Sequence, residues 1–308
     1  DGSASAQHPY SLSEHNYQVS FVQPALDNRH TVFFASDCET LHFHYERNPK
    51  DPRIAHQVTL EVDEFGNITK AAAIGYPRRP PAEDQPPHPL EQTVTLITYT
   101  ENVFTNKSHE ADWCRIGVPI ETRSYELTGV SGKGARYTVE EVQKASSTAA
   151  EIQYEIQPDH KSPQKRLVEC IRTLYYKDDL SGAASLGEVE SHALPYQSYK
   201  LAFTTELLAK IYDGRVSDSL LKDEGQYLKG QDLKDRKIFP EHDDDLWWIP
   251  SGRQVFEPAK FYLPIKFIDP FIESRGLAYA TEYDAYSLLV NESTDPLGNA
   301  VSVVNNYR

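Results

Sequence analysis

Methionine is absent from the 308 residues, and cysteine occurs three times. The missing initiator and the opening Asp1-Gly2-Ser3 predict an excised internal piece, or a processed product, with normally paired surface exposed at its ends. Cys38, Cys114 and Cys170 are odd in number and widely separated. That argues against a disulfide framework and predicts buried free thiols made in a reducing compartment such as the cytoplasm. Positive charge is also scarce: 31 basic residues stand against 46 acidic ones, a net charge of −15. Such a field repels phosphate backbones and argues against nucleic acid as a partner. No apolar run is long enough to cross a bilayer, and the start lacks the basic, apolar and small-residue order of a signal peptide. Neither direct membrane insertion nor export by the usual signal is encoded.

What is present is globular and β-rich. A content of 39% hydrophobic and 11% aromatic residues supports a packed core, and 19 Tyr against 12 Phe predicts many half-buried strand positions with a wet edge. The length allows two domains at about 150 residues each, although β architectures often run longer as one unit. Val58, Leu60 and Val62 alternate with Thr59, Glu61 and Asp63, the period-two pattern of a half-buried strand. Residues 93–100 and 121–127 read the same way. Two turns follow one pattern, Asp-x-x-Gly-Asn: Asp63-Glu64-Phe65-Gly66-Asn67 and Asp295-Pro296-Leu297-Gly298-Asn299. In each, the glycine can take a positive φ, the asparagine tolerates the same region, and the aspartate can hydrogen-bond the backbone two residues on. Hairpins are therefore expected at residues 64–67 and 296–299. Asp269-Pro270-Phe271-Ile272-Glu273 begins similarly but lacks Gly-Asn, so no tight turn is expected there.

Helices should be few. Thr138-Val139-Glu140-Glu141 fits a capping box opening a short helix to about Lys144. Residues 205–212 and 217–224 carry helical leucine and isoleucine spacing. Residues 167–176 fit helical spacing at Leu167, Cys170, Ile171 and Leu174, yet β-branched and aromatic residues favour a strand, and a strand is expected. Proline spread over residues 77–89 removes backbone donors and predicts an extended surface loop.

Each chemical motif has a plainer structural reading. His42 and His44 share one strand face and could chelate Zn²⁺ with Cys38, His56 or Glu46, but no known zinc spacing is present and strand histidines are commonly structural. The runs Asp178-Asp179 and Asp243-Asp244-Asp245 raise a glycosidase reading, with Trp247-Trp248 as a sugar platform. Adjacent carboxylates diverge, however, and turn charges beside a core anchor are preferred. Gly129-Val130-Ser131-Gly132-Lys133-Gly134 resembles a phosphate loop but fails its spacing, and a flexible hairpin tip is expected. There is no nucleophile elbow, and the cysteines lack a basic partner pattern. The sequons at Asn67, Asn106 and Asn291 read as chance. No catalytic residue, metal site or cofactor is expected.

Longer runs carry a family resemblance. Tyr283-Asp284-Ala285-Tyr286-Ser287-Leu288 followed by Asp295-Pro296-Leu297-Gly298-Asn299 resembles the Rhs or YD repeat of large bacterial toxins. Glu46-Arg47-Asn48-Pro49-Lys50-Asp51-Pro52-Arg53-Ile54-Ala55-His56, Thr95-Leu96-Ile97-Thr98-Tyr99-Thr100-Glu101-Asn102, Arg172-Thr173-Leu174-Tyr175-Tyr176-Lys177-Asp178-Asp179-Leu180-Ser181-Gly182 and Trp247-Trp248-Ile249-Pro250-Ser251-Gly252-Arg253 resemble the middle region of the B component of insecticidal Tc toxins. The resemblance implies a mainly β fold, a curved antiparallel sheet of Rhs/YD type forming part of a hollow shell, with a few short helices. It implies residues 1–160 as a middle β-region, 161–268 as strands with a helical insertion, and 269–308 as repeat strands. Gly66, Asn67, Tyr283, Asp284, Asp295, Gly298 and Asn299 would be the turn and repeat residues.

The implied role is a non-enzymatic part of a secreted toxin complex that encloses and delivers a cytotoxic effector. Its partners would be the C component and the rest of the B chain, with the A-component channel engaged indirectly. The other class in play is a secreted β-rich carbohydrate-binding or carbohydrate-active module, resting on Trp247-Trp248 and the acidic runs.

Overall fold

The computed structural model describes residues 7–307 apart from residues 28, 47, 82, 84, 85 and 240–243. Strand outweighs helix among the described residues, as the alternation predicts. The first strands are β1 (Ser11–Gln23), β2 (Val32–His44), β3 (Arg53–Val62), β4 (Ile68–Gly75), β5 (Leu96–Lys107) and β6 (Arg115–Thr128). After α1 (Val139–Thr148) come β7 (Ala150–Ile152), β8 (Gln164–Tyr175) and β9 (Pro195–Phe203). Then α2 (Thr205–Tyr212), β10 (Leu228–Lys229), α3 (Gly230–Asp235) and β11 (Trp247–Pro250) follow. The chain ends with β12 (Arg253–Glu257), β13 (Leu263–Ile268), β14 (Tyr279–Tyr283), β15 (Val290–Thr294) and β16 (Ala300–Ser302).

Two open sheets result. The eleven-stranded sheet runs β1-β2-β3-β4-β5-β6-β8-β9-β11-β10 with β7 paired to β8, and the five-stranded sheet runs β12-β13-β14-β15-β16. Apart from the parallel β7–β8 pair, the registered neighbours are antiparallel. By compactness the chain forms two units, Asp1–Asn102 with Arg123–Val168, and Val103–Thr122 with Glu169–Arg308. They interleave along the chain because β5, β6 and β8 are each long enough to contribute to both.

In the first unit, one sheet face supplies Val58, Leu60, Ala72, Ile74, Ile97, Tyr99, Tyr125 and Leu127, and Val142 of α1 closes over them. The helix starts where Thr138 accepts from the Glu141 amide at 3.2 Å while the Glu141 carboxylate accepts from the Thr138 amide at 3.0 Å. This capping box is the expected one, and the helix runs a turn beyond Lys144. His56 is buried in the same layer, bonded to Tyr76 Oη at 3.0 Å and Glu39 Oε2 at 3.1 Å. Burial pushes its imidazole below the ordinary value, against the pull of Glu39.

In the second unit, Val118 and Ile120 pack with Tyr175 and Val189. Deeper still, Arg172 is 3% exposed, pairs with Glu121 at 2.5 Å, and lies 4.7 Å from the rings of both Phe239 and Trp248. Residues 167–175 are strand, as β-branching predicts.

Three expectations need correction. Of the three thiols expected to be buried only Cys170 is; Cys38 is partly buried and Cys114 exposed. The segment 129–134 is a link from β6 to α1, not a hairpin tip. Gly129 holds φ +69°, and a Cβ there would lie 1.9 Å from the Ser162 carbonyl oxygen, so it packs tightly. The helix expected over 217–224 is present over residues 218–224, with Leu220–Glu224 wound as a π-type turn closed by the Gly225 amide on the Leu220 carbonyl at 3.0 Å. Asp269 does open a turn: its carboxylate accepts from the Phe271 amide at 2.8 Å and its carbonyl from the Ile272 amide at 3.1 Å. Aspartate with Pro270 behind it suffices for an ordinary β-turn without Gly-Asn.

Candidate functional site

The residues singled out as repeat turns form a hydrogen-bonded device used more than once. In residues 63–67, Asp63 Oδ1 accepts from the amides of Phe65 at 2.9 Å and Asn67 at 2.8 Å, and Oδ2 accepts from Asn67 Nδ2 at 2.8 Å. The Asp63 amide donates to the Asn67 carbonyl at 2.9 Å, and the Gly66 amide to the Asp63 carbonyl at 3.0 Å. Gly66 holds φ +86°.

Residues 295–299 repeat every one of these bonds. Asp295 Oδ1 accepts from Leu297 at 2.8 Å and Asn299 at 2.9 Å, and Oδ2 accepts from Asn299 Nδ2 at 2.8 Å. The two backbone bonds are 3.0 Å each, and Gly298 holds φ +89°. Hydrogen bonds to the charged form hold the Asp295 carboxyl below its usual value, the Asn299 side chain first among them. The turns join β3 to β4 and β15 to β16, fixing the pairs Val62 with Ile68 and Thr294 with Ala300.

A third copy has no Gly-Asn signature. Asp284 Oδ1 accepts from the amides of Tyr286 at 3.1 Å and Leu288 at 2.9 Å, and the Ser287 amide donates to the Asp284 carbonyl at 3.0 Å. Ser287 takes the glycine's place at φ +56°, and the closing bond slips one residue, from the Asp284 amide to the Leu289 carbonyl at 3.0 Å. Leu288 stands where Asn67 and Asn299 stand. It has no side-chain donor, and Asp284 Oδ2 is buried without a partner. Asp284 is among the expected turn and repeat residues, and its signal is aspartate alone, with a non-β-branched residue three positions on. Tyr283, just before it, donates to the Pro264 carbonyl at 3.0 Å and ties β14 to the start of β13.

The chemically suggestive residues sit elsewhere and are engaged. Trp247 and Trp248 are 1% and 0% exposed, so the sugar-platform reading fails. Asp178 accepts from Ser191 Oγ at 2.6 Å, from the Ser191 and His192 amides at 3.2 and 2.9 Å, and from His192 Nδ1 at 2.8 Å. Desolvation works against ionisation, but these bonds hold the carboxyl at about 2. This Ser-His-Asp set is no triad, because one carboxylate takes both partners and Ser191 meets His192 Nδ1 only at 3.5 Å. Asp179 accepts from the Ser181 amide, and Asp244 pairs with Lys234 at 3.1 Å; Asp243 lies outside the described residues. His42 bonds Ser13 Oγ at 2.9 Å, and its ring lies 6.5 Å from that of His44. Among the described residues, no three His, Cys, Asp or Glu side chains are placed to hold a metal ion.

Exposed apolar side chains gather on β1 and β2 and again along the last hairpins, and the two sheets leave β1, β10, β12 and β16 as edges. Only Glu39 to His44 of β2 pair with β3, so the rest of β2 pairs with β1 alone. On that two-stranded arm Tyr17, Val19, Phe21 and Phe33 are 60–63% exposed. Along the last hairpins Leu288, Leu297, Val301 and Val304 are 71–96% exposed, and β16 is an edge strand. Exposed edges of this kind are templates for further strands.

By fold the chain is a largely neighbour-to-neighbour antiparallel β meander with aspartate-pinned hairpins. Residues 1–118 match the family model described as the insecticide toxin TcdB middle/C-terminal region. Among solved structures, the TcdB2-TccC3 complex matches with a TM-score of 0.69 at 22% identity, covering 99% of this chain and 16% of that one. TcdB2-TccC3-TEV matches with a TM-score of 0.69 at 22% identity, covering 99% and 14%. The Photorhabdus luminescens Tc holotoxin pore matches with a TM-score of 0.66 at 22% identity, covering 99% and 14%. No curated protein matches. The chain thus spans about one seventh of those chains; the family model covers residues 1–118, and the likeness in fold runs over the whole length of this chain.

Proposed function

We propose that this chain is a non-enzymatic structural segment of a Tc-type toxin B component, part of the β-wall that encloses and delivers a cytotoxic effector. Its partners are the C component and the rest of the B chain, and the A-component channel is engaged through them. The complex acts as a secreted toxin, and residues 1–160, 161–268 and 269–308 serve as successive stretches of one wall. The observation that carries this reading is the aspartate turn built with identical bonds at residues 63–67 and 295–299. A turn reused in two sheets sets strand register, which is what a wall requires and what catalysis does not. Asp178 and Asp179 support it as well, since Asp178 is taken up by Ser191 and His192 and Asp179 by the Ser181 amide.

The test is co-purification of the full-length B chain with its C partner. Gly298→Val places a β-branched side chain at φ +89°, at a local cost of about 1 to 3 kcal/mol. Less complex should be recovered from this variant, a larger effect than the accompanying fall in melting temperature. Tyr307→Ala, which removes only an edge contact with Tyr286 at 5.5 Å, should act more weakly. Undiminished complex from Gly298→Val would refute the turn as a register device.

A further inference from the structure

The second unit contains a cavity of about 600 Å³ that the scaffold role does not use. Its volume lies in the range of small-ligand sites. Three features of its wall are uncommon in a purely structural loop. The π-type turn Leu220–Glu224 puts Lys222 on the rim. Gln226 lines it from a left-handed backbone at φ +55°. Gly225 between them lets Tyr227 fold back, since a Cβ there would meet the Tyr227 ring at 2.8 Å. Strained non-glycine residues and π turns are enriched at ligand sites.

The aromatic wall is held in place before any ligand arrives. Tyr196 receives the edge of Tyr176 at 4.8 Å and has the Arg253 guanidinium 5.3 Å from its ring centre. Tyr227 packs on Phe203 at 5.3 Å. The charged groups are matched with one exception: Lys222 pairs with Asp232 at 2.8 Å, and Glu273 with Arg253 at 2.6 Å. Arg236 lies near enough to act on the Tyr196 and Tyr199 phenols, yet its side chain has no ion pair or hydrogen bond among the described residues. The Gln226 amide is likewise unengaged among them.

We propose that this cavity is a binding site for a saccharide unit that bears a carboxylate. The tyrosine faces meet the C–H face of a pyranose, Gln226 and the Lys222–Asp232 pair exchange hydrogen bonds with its hydroxyls, and Arg236 takes the carboxylate. A neutral sugar leaves the guanidinium uncompensated. A phosphate brings a second negative charge beside Asp232 and Glu273.

The test is calorimetric or NMR titration of the full-length protein with D-glucuronate and N-acetylneuraminate, with D-glucose and acetate as controls. Saturable binding of an acidic sugar, tighter than both controls, is expected. Arg236→Gln, at an exposed position, should weaken it about tenfold or more. Gln226→Ala should weaken it less, and Tyr227→Ala should remove it. Glucose binding as tightly as glucuronate would overturn the role of Arg236. Acetate binding as tightly would overturn the saccharide, and no saturation at millimolar sugar, or indifference to Arg236→Gln, would overturn the site.

Discussion

The turn at residues 63–67 and the turn at residues 295–299 share five hydrogen bonds, yet their glycines answer different demands. Gly298 stands in open space, where only its φ of +89° calls for glycine. Gly66 has nearly the same φ, but a Cβ there would fall 2.6 Å from Phe34 Cζ. The ring of the β1–β2 arm is seated on the first turn. Residues 284–288 show what is left when the requirement is relaxed: Ser287 accepts a left-handed φ, and Leu288 leaves Asp284 Oδ2 without a donor. The comparison teaches that aspartate makes the turn, glycine eases it, and asparagine completes the carboxylate.

The largest expected effect is at Gly66. Gly66→Ala adds left-handed strain of about 1 kcal/mol to a clash with an aromatic ring, so a loss of about 2 to 3 kcal/mol is expected in denaturant unfolding. Pairing it with Phe34→Ala should recover the steric part, and purely additive losses would show that Phe34 does not press on the turn. Gly298→Ala should lose only the strain, about 1 kcal/mol. Equal losses at the two glycines would break the comparison.

A gain is expected from Leu288→Asn. Giving Asp284 Oδ2 the donor that Asn67 and Asn299 supply should stabilise by about 0.5 to 1.5 kcal/mol, at a position where leucine is 71% exposed and contributes little burial. A lower melting temperature would show that Ser287 and the slipped closing bond set a different geometry. The smallest effect is in the titration of Asp295. Its folded value is lowered, so its contribution is present above the unfolded value and is lost as pH falls through the folded one. Asn299→Ala should move the Asp295 carboxyl resonance upward toward its ordinary midpoint. An unmoved midpoint would leave the backbone amides as the whole cause.

Much of this was readable from the chain, for local reasons. The Thr138 capping box, the alternation through Val58 and Val62 and the two Asp-x-x-Gly-Asn turns are set by neighbours within a few residues. What escaped depends on distant partners. Trp247 and Trp248 read as a core anchor, and they are one, but nothing nearby announces that Arg172, far back in sequence, stacks beneath Trp248. Gly129 looked like part of a mobile tip, because its need for room comes from Ser162. Tyr283 and Asp284 read as repeat and turn residues, but the geometry at Asp284 does not show in the chain, because the left-handed φ of Ser287 is tolerated rather than encoded. The π-type turn depends on Tyr227 folding back over Gly225. The cavity beside it is assembled from residues between Ala183 and Glu273, and no run of sequence names it.

The near-sequential strand order has a kinetic side. Through β6, each strand of the large sheet lies beside its chain predecessor, and the five strands from β12 to β16 do the same. Closing such short connections is entropically cheap, and the pairing edge is always the strand made last. The sheet can therefore grow in the order of synthesis, each hairpin ready before the next emerges. The reversal of β10 and β11 interrupts this: β9 must wait until Trp247 arrives, with α2, the π-type turn and α3 made in between. A pause in growth is expected there, and pulse-labelled hydrogen exchange during refolding should find β2 to β4 protected before β9 and β11.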